Sequence, residues 1–399
     1  MNKKTLMKRL FLLVLGGMAV LCRLQAQCSN GYPYTQVPFT AVKITPNTFW
    51  GDRIQAAREV TVPLAFSKCE SEHRYKNFEM AAYTLQHPGH AALQTPEWDV
   101  TRLMGFSFDD TDVYKTIEGA SYLLQTYPDA KLEAYIDSVL VLVAAAQEPD
   151  GYLNTARTMN PWHPHAWMGP ERWSQVEELS HEFYNLGHMV EAAVAHYQAT
   201  GKRNFLDIAI RYADCICEAI GDGDAQVARV PGHQIAEMAL CKLYLATGKK
   251  QYLDMAKDFL DRRGTEPNAL VDDHRRANWP DIFHTGGSFD PAYSQCDRPV
   301  RMQKKAEGHA VRACYMYAAM ADVARECGDE DLKRACEILY EDIVNAQMYI
   351  TGGVGSSGVL ERFTVDYDLP NDRNYSESCA SIALAMFCRR MAPGRRFRI

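Results

Sequence analysis

From about Thr101 onward, apolar residues recur at intervals of three and four; Val190, Ala193, Val194 and Tyr197 share one face of a 3.6-residue period. The pattern predicts a chain of amphipathic helices. Strand-type alternation is scarce, with one exception between Val37 and Ile44, just before Pro46. There Val37, Phe39 and Ala41 alternate with other residues, and Val42 and Ile44 then continue one step out of phase. This predicts a short edge strand carrying a bulge. Further on, an apolar helix from Leu132 to Ala146 runs into Gln147-Glu148-Pro149-Asp150-Gly151-Tyr152-Leu153, where Pro-Asp-Gly signals a tight turn. The turn either presents its tyrosine and carboxylate to a ligand or only closes the helix, and the residues leave both readings open.

A larger unit repeats in the order Gly-His, apolar helix, glycine turn, second helix. Residues 187–216 start at Gly187-His188 and turn at Thr200-Gly201-Lys202; residues 232–264 start at Gly232-His233 and turn at Thr247-Gly248-Lys249. A looser copy, 308–343, starts at Gly308-His309 and turns at Cys327-Gly328-Asp329. Each copy reads as a helical hairpin with glycine at the helix C-terminus, where the left-handed conformation is needed. The histidines lie 45 and then 76 residues apart, and the long insertion holds Trp279, Phe283, Phe289 and Tyr293. Unequal spacing suits loops over one mouth of a closed α/α toroid, whereas an open solenoid keeps a constant period.

Composition narrows the functional classes. The 399 residues are 47% hydrophobic and 23% charged, enough for a large core. Lys3, Lys4, Lys8 and Arg9 precede thirteen residues, Leu10 to Cys22, of signal-peptide character, with a cleavage site after Ala26. That run is too short to span a bilayer. Cys22 and Cys28 follow residues ill suited to lipoprotein processing, so soluble export to the periplasm or the medium is expected. Without residues 1–26 the formal charge moves from -7 to -12, with 38 Lys and Arg against 50 Asp and Glu. Such a surface repels nucleic acid and favours a neutral or cationic small molecule. The twelve cysteines contain no Cys-x-x-Cys, and Cys215, Cys241, Cys314 and Cys336 sit at helical spacing among apolar residues, as small hydrophobes.

Three candidate groups carry chemistry. His188, His233 and His309 hold the same place in three repeats, so a toroid turns all three toward one mouth, where neutral imidazoles bind hydroxyls or metal. One such histidine alone would be structural; three in register point to a pocket. The loop Met348-Tyr349-Ile350-Thr351-Gly352-Gly353-Val354-Gly355 lacks the Gly-Lys-Ser/Thr ending of a phosphate-binding loop, which excludes nucleotide binding by it and leaves close approach of backbone to a ligand. Finally, Glu377-Ser378-Cys379 offers one oxygen and one sulfur, half of a zinc site, or else a helix-start glutamate beside a buried cysteine.

Several strings carry a family resemblance: Asp112-Val113-Tyr114-Lys115, Gln147 to Leu153, Tyr184-Asn185-Leu186-Gly187-His188, Gly308-His309-Ala310-Val311-Arg312, Met348 to Gly353, and Glu377-Ser378-Cys379-Ala380-Ser381. From about Val42 to Met391 the chain resembles the beta-L-arabinofuranosidases of glycoside hydrolase family 127. The resemblance implies an all-α (α/α)6 barrel that releases terminal beta-L-arabinofuranose, or a related sugar of plant-type glycans, with retention. By position it implies Glu361 as general acid/base, Glu377 and Cys379 as two of four zinc ligands, and His188, His233 and His309 as sugar contacts. It also implies a zinc-bound cysteine as nucleophile, a thiol kept deprotonated by the metal.

The chain departs from the family near its end. The family's nucleophile and last zinc ligand form an adjacent Cys-Cys pair beyond Glu-x-Cys, and no such pair follows Cys379. Residues 389–399 hold five arginines and no acid, and Pro393-Gly394 breaks the helix expected there. The expectation is a signal peptide at 1–26, an extended segment at 27–48, a barrel at 49–391 that is incomplete at its C-terminus, and a foreign arginine-rich tail at 392–399 from a frameshifted or truncated coding sequence. Such a chain would be poorly soluble and inactive alone. Two other classes stay open: a non-catalytic carbohydrate-binding protein, and an α/α-barrel sugar epimerase or lyase, which leaves Glu377 and Cys379 unexplained.

Overall fold

Helices account for every regular element of the computed structural model among the residues it describes, 36–98, 105–165, 167–177, 179–276 and 289–392. The leader at 1–26, Trp279, Phe283 and the tail from 393 lie outside these residues. In chain order the helices are α1 (Phe49–Ala56), α2 (Val62–Ser71), α3 (Arg74–Gln86), α4 (Asp110–Thr126), α5 (Ala130–Ala145), α6 (Thr155–Thr158) and α7 (Glu182–Thr200). They continue as α8 (Asn204–Ala219), α9 (Ala236–Thr247), α10 (Lys250–Arg262), α11 (Ala269–Arg276), α12 (Ala310–Cys327), α13 (Glu330–Asp342) and α14 (Ser378–Met391).

The repeats fold as the hairpins α7–α8, α9–α10 and α12–α13. Gly201, Gly248 and Gly328 end the first helix of each at φ 75°, 74° and 68°, with their amides bonded back to Tyr197, Tyr244 and Ala324. Burial sorts the helices into two layers. Residues Ala310 to Ala324 of α12 are all buried, which is what an inner helix packed on every side requires. In α10, by contrast, Tyr252, Leu253, Ala256, Phe259 and Leu260 are buried on one face, and Lys250–Asp254 and Lys257–Asp261 pair one turn apart on the other. The inner helices α4, α7, α9, α12 and α14 neighbour one another in that order, with α8, α10 and α13 outside them, as in an α/α toroid.

The edge strand expected at 37–44 does not form. Pro38 and Val42 are extended, but Phe39–Ala41 make a single 3₁₀ turn and no strand lies beside them. Alternation alone cannot make a strand when the tertiary structure supplies no ladder partner, and Pro38 removes a donor. The segment instead caps α4: Phe39 meets the Tyr122 ring edge-on at 4.9 Å, and Gln125 donates to the Thr40 carbonyl at 3.3 Å. The Pro-Asp-Gly turn resolves as structural. Tyr152 is fully buried and donates to Glu182 at 2.5 Å, while Asp150 pairs with Arg172 at 2.6 Å. Cys215, Cys241, Cys314 and Cys336 are all buried, as their spacing suggested.

Candidate functional site

The three repeat histidines meet at one end of the inner helices, with Tyr184 between two of them. Its ring centroid lies 4.4 Å from that of His188 and 4.5 Å from that of His233, and His233 lies 5.4 Å from His309. Their local settings differ. His309 is the N-cap of α12 and His233 sits in the loop before α9, but His188 lies inside α7, in its second turn, so it does not start a helix. Tyr184 and His188 therefore share a face by their spacing of four.

Close packing fixes these positions. A Cβ on Gly232 would fall 1.4 Å from the Val176 carbonyl oxygen, so only glycine lets the His233 loop lie there. The fully buried Arg263 clamps the same loop, donating to the Pro231 and Ser294 carbonyls and facing Glu237 at 3.6 Å. Burial is the main force on the titration of all three histidines and holds them below their usual pKa, so they are neutral at neutral pH. His188 Nε2 is buried without a protein partner, an unused hydrogen-bonding position at the pocket.

Glu361 arrives from a separate segment. Its carbonyl accepts the Ala310 amide at 3.0 Å, and the Phe363 amide bonds to the Gly308 carbonyl at 2.9 Å, so residues 361–363 are laced to the start of α12. Leu360 and Glu361 both hold left-handed backbone, φ 58° and 54°, a strained conformation of the kind that marks functional segments. The lacing sets Glu361 Oε2 3.1 Å from His309 Nε2, and Tyr375 donates to Oε1 at 2.6 Å. These two donors, His309 first, pull the Glu361 carboxyl down to about 2 despite the opposing effect of burial.

Glu377 is the N-cap of α14 and Cys379 lies in its first turn. Burial, then Glu377, pushes the Cys379 thiol up to about 11. Glu377 Oε2 is buried without a hydrogen-bond partner, which suits a metal-facing oxygen. Among the described residues, however, no group of three His, Cys, Asp or Glu could hold a metal ion. The two donors fit half of a four-coordinate zinc site and do not make a whole one. The glycine-rich loop supports this region from behind: Gly355 and Ser356 carbonyls accept the Ser376 and Tyr375 amides, both at 3.0 Å.

Sequence reasoning missed Lys115, His181, Tyr184 and Tyr315. Lys115 Nζ, largely buried, bonds to the Tyr184 hydroxyl at 2.7 Å, and its charge acts on Cys379 and Glu377. The His181 ring lies 5.4 Å from that of His233, and the Tyr315 ring 6.1 Å from that of His188. Tyr184 had a usable signal in its place four residues before His188, and both it and Lys115 stand in strings that carry the family resemblance.

Fold and site together define an α/α-toroid domain in which neutral histidines, aromatic rings and one strongly ionised carboxylate gather at one end of the inner helices. The chain belongs to the beta-L-arabinofuranosidase family GH127, matching its catalytic domain over residues 41–394. It is 41% identical over 287 residues, 72% of its length, to a non-reducing end beta-L-arabinofuranosidase of Bifidobacterium longum, and covers 43% of that protein. A solved GH127 beta-arabinofuranosidase superposes with a TM-score of 0.79 at 57% identity, over 92% of this chain and 52% of the other. The GH127 beta-L-arabinofuranosidase of Geobacillus stearothermophilus T6 gives 0.78 at 40% identity, over 88% and 53%. The chain thus spans about half the length of these relatives.

Proposed function

We propose that this chain carries the toroid of an exported, retaining beta-L-arabinofuranosidase-type hydrolase, taking terminal L-arabinofuranose or a related sugar of plant-type glycans. The observation that carries the reading is Glu361, fixed by His309 and Tyr375 beside three neutral histidines. His188, His233 and His309 would hold the sugar hydroxyls. Glu361 has the reach and the ionised state of a base that takes a proton from water. Acting first as the acid requires a proton on the same carboxyl. A leaving-group oxygen that displaces the His309 or Tyr375 donor would raise its pKa toward that state.

We also propose Glu377 and Cys379 as two zinc donors, the metal serving to keep a thiol nucleophile deprotonated. The 399 residues contain no adjacent cysteine pair, so by themselves they are expected to bind sugar with little or no turnover. Calorimetry with L-arabinose oligosaccharides should show saturable binding that is lost in His233→Ala. Release of L-arabinose from an aryl beta-L-arabinofuranoside, abolished by Glu361→Gln, would overturn the expected inactivity. Stoichiometric zinc by elemental analysis would show that further ligands complete the site.

A further inference from the structure

Beside the histidine pocket three aromatic rings lie nearly parallel. Phe106 and Phe108 have centroids 5.2 Å apart with planes 9° apart, Phe106 and Trp167 are at 4.9 Å and 19°, and Phe108 and Trp167 are at 6.3 Å and 28°. A column of three stacked rings would hold its outer pair about twice as far apart as its neighbours. Here the outer pair is only 6.3 Å apart, so Phe108 and Trp167 lie on one side of Phe106, offset-stacked beneath it, and leave its other face uncovered by either ring. Phe108 joins Phe106 to the pocket, with ring contacts to His181 at 4.8 Å and Tyr184 at 6.3 Å. At the outer end Phe106 is 50% exposed.

The backbone around Phe106 and Phe108 is held by buried hydrogen bonds. Asp109, 3% exposed, accepts the Phe106 amide at 2.9 Å and pairs with Arg74 at 2.9 Å. Ser107, between the two phenylalanines, donates to the Leu179 carbonyl, and its own carbonyl accepts from Asn185 at 3.0 Å. On the other strand of chain, the Trp167 amide donates to His165 Nδ1 at 3.1 Å. Fixing an exposed ring through buried hydrogen bonds is preorganisation, which lowers the ordering cost of binding.

We propose that Phe106, backed by Phe108 and Trp167, forms a second sugar subsite, stacking the C–H face of the ring next to the one held by Tyr184 and the histidines. The inference rests on the sugar-pocket reading above and adds to it a preference for oligosaccharides over single sugars. An exposed aromatic face, joined through Phe108 to His181 and Tyr184, matches a ring presenting hydrogens on its face and hydroxyls at its edge.

The test uses the full chain, titrated by calorimetry with methyl beta-L-arabinofuranoside and with a beta-L-arabinofuranosyl disaccharide. The disaccharide should bind about tenfold more tightly. Phe106→Ala should return it to the affinity of the monosaccharide while leaving the monosaccharide unchanged, and Phe106→Leu, which keeps apolar bulk without a flat ring, should do nearly the same. Circular dichroism of both variants should match the parent. Equal affinities for the two sugars, or equal weakening of both by Phe106→Ala, would overturn the subsite and leave the pocket standing. Binding of neither sugar would overturn the pocket and the subsite together.

Discussion

His309 Nε2 sits 3.1 Å from Glu361 Oε2, while His309 Nδ1 accepts the Val311 amide at 3.2 Å. One imidazole thus caps α12 with one nitrogen and supports the carboxylate with the other. Acceptance at Nδ1 places the proton on Nε2, so a neutral ring donates to Glu361. Burial, which keeps His309 neutral, and its hydrogen bond, which keeps Glu361 ionised, are compatible because a hydrogen bond and not an ion pair joins them.

The Glu361 pKa should respond to its donors one at a time. Tyr375 is 40% exposed, so Tyr375→Phe removes a hydroxyl with little effect on the fold. The Glu361 carboxyl should then titrate above its present value of about 2, followed by carboxylate-carbon NMR across acid pH. An unmoved titration would mean that His309 alone sets it.

Stability should vary with pH in two opposing ways. Burial raises Asp110 to about 7 and Asp109 to about 6, so the folded state binds more protons than the unfolded chain above the ordinary aspartate value near 4. Both groups therefore lower stability as pH rises from about 4 to about 7. Glu361 acts in the other direction: its contribution is present above the ordinary glutamate pKa and is lost as pH falls toward about 2. The buried histidines, held below their usual pKa, act the other way over the same window, so the aspartate effect is read as a difference: urea midpoints of Asp110→Asn relative to the parent should rise progressively from about pH 4 to about pH 7.

Two glycines that look alike in sequence should behave differently. At Gly248 a Cβ meets nothing within 4 Å but φ is 74°, so Gly248→Ala should cost about 1–2 kcal/mol of left-handed strain. At Gly232 the added carbon would overlap the Val176 carbonyl oxygen, so Gly232→Ala should cost more and also weaken sugar binding through His233. Denaturation and calorimetry of the two variants, side by side, check both.

The Arg263–Glu237 pair is fully buried, and removing one partner leaves a charge without compensation. Arg263→Met should destabilise by about 3–5 kcal/mol, and adding Glu237→Gln should recover part of that loss. Additive losses in this double-mutant cycle would show that the two groups do not depend on each other.

The sequence by itself determined the helical hairpins, because local periodicity and a glycine at each helix end are enough to start and stop them. It also pointed to His188, His233 and His309 as one set, since a repeat assigns equivalent places without any knowledge of packing. The tertiary structure decided the rest. It refused a strand to Val37–Ile44 for want of a partner, and it buried Tyr152 in a contact with Glu182. It brought Lys115 to Tyr184, Phe108 to His181 and Trp167 to Phe106 across long separations in the chain. No local pattern encodes such meetings, because they arise only when helices distant in sequence pack into one wall.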